Sequence, residues 1–186
     1  MARQLRAFVL ASGPSGGKHL DLIKAATGLK IATNSTIFKA PWAHICFAMD
    51  QTWWREYGHE VKKIKCERIS SSRASARYGA SLIPRRPKDK PVKDGVSGNN
   101  SATCAAELAY LRGAREIILV GVDCTADGKR NHHHDDHPEP LKNRIRAREW
   151  LDDWKRFITL NDVRVVNTSP LCEADFFEYA DIREFV

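Results

Sequence analysis

The amino-acid sequence predicts an α/β fold, a mostly parallel central sheet covered by helices on both faces, and three observations predict it. Short apolar runs alternate along the chain with helix-length stretches, which implies strands joined by crossover helices. Runs such as FVL and IILV are apolar without interruption, as strands buried on both faces are. Most of these runs end in Ser, Gly, Asn or Asp, the polar turns expected beyond strand carboxyl ends. At 186 residues with 42% hydrophobic content, the chain can bury one core without disulfide or metal staples. A single domain is expected, with a basic flexible insertion at about residues 68–95.

The elements follow in order. RAFVLA (residues 6–11) is an apolar run ending in a Gly/Pro/Ser turn, the form of a buried strand feeding a helix. KHLDLIKAATG (18–28) follows as a short helix that Gly28 stops. LKIATN (29–34) and AHICFAMD (43–50) are the second and third strands, and QTWWREYG (51–58) is a short helix. EVKKIKCERI (60–69) alternates and predicts a fourth strand, at an edge because of its lysines. SGNNSATCAAELAYLRGA (97–114) predicts a helix whose small face, Ala102, Ala105, Ala106 and Ala109, lets it lie close on a sheet. Ser97, Asn99 or Asn100 can cap it, and Gly113 sits just past its last turn. REIILVGVD (115–123) is the strongest strand. LKNRIRAREWLDDWKRFITL (141–160) is a long amphipathic helix, striped by Ile145, Trp150, Leu151, Trp154, Phe157 and Ile158. VRVVN (163–167) is the last strand, and an irregular tail follows.

Composition excludes several classes. No stretch reaches the ~18 apolar residues of a membrane span, and the N-terminal apolar run is too short for a signal-peptide core. Five cysteines, Cys46, Cys66, Cys104, Cys124 and Cys172, form no CxxC pair. That argues against a zinc ribbon or disulfide scaffold and for a reducing, cytoplasmic setting. The formal charge of +7 brings polyanionic partners into consideration. Between Arg68 and Lys93 stand eight Lys/Arg against one Asp. This stretch reads either as a solvated mobile loop or as a basic flap over phosphates or nucleic acid. Its candidate polyanion contacts are Arg73, Arg77, Arg85, Arg86, Lys88 and Lys90.

In a parallel sheet, ligands sit beyond the strand carboxyl ends near a switch in strand order. The residues expected there are Ser12-Gly13-Pro14-Ser15, Asn34, Asp50, Asp123 and Asn167-Thr168-Ser169. LASGPSGGKHL (10–20) nearly matches two phosphate motifs. A P-loop requires Gly in place of Ser12 and Ser or Thr in place of His19, and a dinucleotide fingerprint requires Gly in place of Ala11. Gly13 allows close backbone approach, Ser12 and Ser15 offer hydroxyls, and the following helix would present free N–H groups to an anion. A plain strand–helix turn explains the same residues. Asn34 stands where an acidic ribose ligand is usual, and its amide can bond a hydroxyl or a base edge or simply make a turn. NHHHDDHPE (131–139) holds four of the seven histidines beside Asp135 and Asp136. Histidine with carboxylate suits proton transfer near neutral pH or a divalent metal. Adjacent loop residues diverge, so they cannot all hold one ion, and a polar surface loop is the plainer reading.

Three blocks in order, LASGPS, ATNSTIF and VSGNNSATCAAELAYLRGAREIILVGVDCT, together resemble the Campylobacter-type bacterial sialyltransferases. The corresponding family blocks read GNGPS, a Cys-Asn pair, and TSG followed by a helix and an IYLxGIDF strand. The chain also resembles the MptE-like 6-hydroxymethylpterin diphosphokinase superfamily and its small phage or prophage members, in which a GKxHxHxDHP…LRN segment corresponds to GKRNHHHDDHPEPLKN. This resemblance implies a Rossmann-like three-layer sandwich binding a nucleotide or nucleotide sugar, CMP-type or ATP-type. It implies nucleotide contacts at Ser12, Gly13, Pro14, Ser15, Asn34, Ser97 and Gly98, to which the strand-end readings add Asp50 and Asp123. It implies a histidine general base in the later loop, with His132, His134, His137 and Asp136 as catalytic candidates. Ser12 departs from the motif's Asn, and the family's phosphate-binding tyrosines have no counterpart.

The expected function is therefore a nucleotide-dependent, glycosyltransferase-like transferase. Its acceptor would be DNA or a glycan, in the host cytoplasm if phage-encoded, and a homo-oligomer is compatible. A metal-dependent phosphotransferase or hydrolase using Asp123, His134, Asp136 and His137 as ligands is one alternative. A non-enzymatic nucleotide or nucleic-acid binder relying on the basic stretch is another.

Overall fold

The computed structural model describes residues 5–124 and 147–186. Its strands are β1 (Leu5–Leu10), β2 (Leu29–Thr33), β3 (Ile45–Phe47), β4 (Glu67–Ser70), β5 (Ser81–Leu82), β6 (Ala114–Val120), β7 (Arg164–Asn167) and β8 (Glu178–Tyr179). The helices are α1 (Leu20–Ala25), α2 (Thr36–Lys39), α3 (Gln51–Val61), α4 (Ser101–Leu111) and α5 (Ala147–Leu160). The strands form one sheet in the order β5-β4-β3-β2-β1-β6-β7-β8. Each neighbouring pair is parallel. The expected α/β, Rossmann-like architecture is present.

The uninterrupted apolar runs explain the layering. Successive side chains of a strand point to opposite faces, and here both faces are covered. Ala7 and Val9 of β1 enter one core cluster, while Phe8 and Leu10 enter the other. Ile117 and Leu119 of β6 separate from Ile118 and Val120 in the same way. The small side chains of α4 lie against the first face, joined by Trp154 and Phe157 of α5. Residues of α1, α2 and α3 cover the second, including Ile23, Ile37, Trp53 and Trp54. Ala105, Ala106 and Ala109 are fully buried, as their small-residue face predicts. Asn100 is the α4 cap, its side chain accepting from the Thr103 N–H.

One expectation is corrected and another refined. Residues 60–69 do not form one strand: α3 continues to Val61, and β4 begins only at Glu67. Trp53, Trp54 and Val61 are buried in the second cluster, so the helical face extends through what reads locally as alternation. The tail is irregular except for one short strand and a 3-10 turn at Ile182–Glu184. β8 pairs with β7 through Val166–Glu178 and Asn167–Tyr179, and Ile182 and Phe185 are buried beyond it. A two-residue strand is too short to carry a period. The expected helix at 141–160 is seen from Ala147 onward, and its first residues lie outside the described ones.

Candidate functional site

The strand order runs down from β5 to β1 and then jumps to β6, so the switch point lies between β1 and β6. In open parallel sheets the crevice beyond such a pair is the ligand-binding position. The Ser12–Ser15 loop leaves β1 there and stays joined to the end of β6. Ala11 N–H donates to Val120 O at 2.8 Å and Gly13 N–H to Gly121 O at 2.9 Å. A Cβ built on Gly13 would lie 2.4 Å from Gly121 O and 2.6 Å from Asp123 Oδ2. Only glycine fits this approach. Gly13→Ala is therefore expected to cost ~1–3 kcal/mol by overpacking, read as a fall of ~2–4 °C per kcal/mol in thermal denaturation.

Asp123, 3% exposed, joins three strand ends. Its carboxylate accepts from Ser15 N–H at 3.0 Å, from Ser15 Oγ and from Ser169 Oγ. Ser169 is itself set by its N–H to Asn167 Oδ1 at 3.0 Å, and Asn167 Nδ2 donates to Val122 O at 2.9 Å. Both Asp123 oxygens are thus engaged in fastening the loop after β1 to those after β6 and β7. Among the described residues no group of three or more His, Cys, Asp or Glu side chains could hold a metal. His132, His134, Asp136 and His137 lie outside the described residues.

Asn34 ends β2 with φ of 49°, a left-handed conformation that asparagine tolerates better than most residues. Its Oδ1 accepts from Ser101 Oγ at 3.1 Å, tying β2 to the first residue of α4. The amide's two N–H donors form no hydrogen bond among the described residues. Ser12 Oγ lies 3.0 Å from Thr36 Oγ1 just beyond Asn34. The structure therefore brings Ser12, Gly13, Ser15, Asn34 and Asp123 to one rim. The helix after the loop, by contrast, is a poor anion site. It opens as a 3-10 turn at Gly17–His19, and α1 spans only Leu20–Ala25, too short for a strong dipole.

Asp50 precedes α3 without capping it. Burial raises its carboxyl above the ordinary 3.8. As pH rises through that ordinary value the unfolded chain ionises first, so this group's stabilising contribution is present below it and lost as pH rises through the raised folded value. Asp50→Asn is expected to be more stable than the wild type at pH 7 and equal to it at roughly pH 3 in urea titrations. A carboxylate held against burial at the strand-end rim is a functional candidate.

Ser97 and Gly98 are built into the protein's own network. Ser97 N–H and Oγ each donate to Glu107 at 2.6 Å, and Gly98 N–H donates to the same carboxylate at 3.2 Å. Their carbonyls accept from Arg85 at 3.0 and 2.8 Å. Arg86 pairs with Glu107 at 2.8 Å and Lys88 with Asp153 at 3.1 Å. Asp153 also accepts from Asn99 N–H. Arg85, Arg86 and Lys88 thus bond to the protein itself, and Arg85 is nonetheless exposed, as are Arg73, Arg77 and Lys90.

Sequence reasoning missed Glu107 and Asp153, both nearly fully buried. One signal was available: Glu107 is the lone acid in the apolar run CAAELAYL, where a charge needs a partner. It also missed the neighbouring thiols Cys124 and Cys172 beside Asp123, where the Cys124 thiol draws Cys172 below its ordinary range. No helix among the described residues is long and apolar enough to cross a membrane.

No family model and no curated protein sequence matches the chain. Solved structures do match in fold. The sialyltransferase CstII from Campylobacter jejuni in complex with the substrate analogue CMP-3FNeuAc superposes with a TM-score of 0.61 at 13% identity, over 96% of this chain and 86% of that one. The same enzyme in complex with cytidine-5'-monophosphate gives a TM-score of 0.62 at 13% identity, over 97% and 86%. The chain thus shares its fold, over nearly its whole length, with a sialyltransferase.

Proposed function

We propose that the chain is a nucleotide-dependent, glycosyltransferase-like enzyme that holds its donor nucleotide at the rim of β1, β2 and β6. The observation that carries this reading is the unspent Asn34 amide. It is held in a left-handed conformation by Ser101, on the same rim as the glycine-tight loop that Asp123 fastens. Strain kept at one residue by its surroundings is a mark of a ligand clamp. The Asn34 N–H donors suit a base or ribose oxygen, whereas the Gly13 and Ser15 N–H groups and the Ser15 hydroxyl are already spent on Gly121 and Asp123. The fold is that of an enzyme whose solved complexes hold CMP and a CMP-sugar analogue, which supports a CMP-type donor.

In this scheme an acceptor hydroxyl attacks the donor's transferring carbon, the bond to the nucleotide phosphate breaks, and the nucleotide leaves as the anion. A histidine from His132–His137 takes the acceptor proton; such transfer contributes ~10²–10⁴-fold to rate. Asp50 would lie on the same rim as an unspent carboxylate.

Thermal denaturation against CMP, UDP, ATP and nucleotide sugars tests the reading. A ligand at ~100 times its dissociation constant adds ~2.7 kcal/mol, which raises the melting temperature by roughly 5–11 °C at ~2–4 °C per kcal/mol. Asn34→Asp keeps the acceptor toward Ser101 and removes the amide donors, so it is expected to abolish that rise while melting near the wild type without ligand. Absence of a shift with every nucleotide overturns the proposal.

A further inference from the structure

At the other end of the sheet, before β3 and β4 begin, lies an open cavity of about 590 Å³. Its wall includes Trp42, His44, Lys62, Lys63, Lys65 and Arg68. The acid on this wall, Glu67, is paired with Arg112 at 2.5 Å. Lys62, Lys63 and Lys65 are exposed and form no ion pair among the described residues. Two of them sit at the carboxyl end of α3, where cations offset the helix dipole. That role does not account for His44, Lys65 and Arg68 converging from other segments.

The cavity's donors are partly preset. His44 Nδ1 accepts from the Lys30 N–H at 2.9 Å, which leaves the neutral ring's proton on Nε2. Arg68 Nη1 reaches the carbonyls of Ile64 and Cys66 at 3.3 and 3.4 Å. Arg68 Nε is buried without a partner, the one such side-chain atom among the described residues. The half-buried indole of Trp42 adds a flat apolar surface beside these cations. An aromatic face with several cations is the combination that takes a nucleobase and its phosphates. This unspent charge also lies outside the basic stretch around Arg85–Lys88, whose cations are occupied by Glu107, Asp153 and backbone carbonyls.

We propose that this cavity is a second binding site, separate from the strand-end rim, for phosphate-bearing nucleotide material. A base would lie on Trp42, with phosphates on Lys62, Lys63, Lys65 and Arg68. Two sources share that chemistry, a single nucleic-acid strand and a free nucleoside triphosphate.

Fluorescence anisotropy with a labelled oligodeoxythymidylate, and separately with a labelled ATP, tests the proposal and distinguishes the sources. At least one probe binds the wild-type protein. The triple variant Lys62→Glu, Lys63→Glu, Lys65→Glu weakens that binding about tenfold or more at low salt. For the strand, the slope of log affinity against log salt falls by about 2, since three phosphate contacts contribute ~0.7 each. The substituted lysines are exposed and unpaired, so the triple variant stays folded, although reversing the two at the carboxyl end of α3 costs ~0.3–1 kcal/mol or more each, a fall of a few degrees in melting temperature. Asn34→Asp leaves the binding intact, and hydrogen exchange slows at residues 62–68 when the probe is added. The proposal is overturned if neither probe binds, if the triple variant binds as well as the wild type, or if Asn34→Asp abolishes binding. That last result would place the probe on the rim instead.

Discussion

Asp123→Ala is expected to lower unfolding free energy by ~3–4 kcal/mol and to remove any stabilisation by nucleotide. The carboxylate accepts a backbone N–H and two hydroxyls from Ser15 and Ser169, and it is almost without solvent contact. Alanine leaves those donors buried and unpaired, each costing ~1–3 kcal/mol, partly relieved by relaxation. Thermal denaturation should show a fall of roughly 6–16 °C at ~2–4 °C per kcal/mol. Asp123→Asn keeps one accepting oxygen and should lose less. The functional part rests on geometry: without Asp123 the loop after β1 is no longer fastened to the ends of β6 and β7. A variant that melts near the wild type and still responds to nucleotide would show that the carboxylate does not hold this rim.

Glu107→Ala is expected to be at least as damaging, because it strands a cation as well as donors. Arg86, 8% exposed at its side chain, would lose its carboxylate and keep only the carbonyls of Gly95, Pro87 and Lys90. Breaking such a buried pair typically costs ~3–5 kcal/mol. Ser97 and Gly98 would lose the acceptor for their N–H groups in the same step. Arg86→Met combined with Glu107→Gln removes the stranded charge and keeps an amide oxygen for the Ser97 N–H. Urea unfolding of the cycle should therefore show the double variant recovering much of the loss, with a coupling of ~0.5–3 kcal/mol. Strictly additive losses would show that the ion pair contributes nothing beyond its separate members. Since this pair ties the 85–98 segment to α4, Glu107→Ala should also increase proteolysis within that segment.

Both predictions concern residues whose identity was visible in the chain but whose partners were not. Asp123 could be placed at a strand end because IILVGVD reads unmistakably as a buried strand. Its partners, Ser15 and Ser169, are 108 and 46 residues away along the chain. Separations of that size carry no periodic signal. Glu107 reads locally as one residue of an alanine-rich helix, and only the return of the 85–98 segment makes it a hub. The same distance effect reassigns Arg85, Arg86 and Lys88. As a basic stretch they suggested a polyanion, whereas in the fold their charges meet Glu107, Asp153 and the carbonyls of Ser97 and Gly98.

Local reading failed where elements were short or where packing overrode pattern. The alternation of residues 60–69 lost to the buried helical face of α3, and β8 forms because β7 offers it a partner. It succeeded where burial on two faces writes itself into composition, as in β1, β6 and the small-residue face of α4. The α/β class, the parallel sheet and the polar strand ends were legible in the sequence, because hydrophobic period and turn chemistry are local properties. Tertiary structure alone decided which buried carboxylates fasten that rim, which cations remain unspent, and the cavity where they gather. Those outcomes depend on charges meeting across the fold, where burial makes an unpaired group costly.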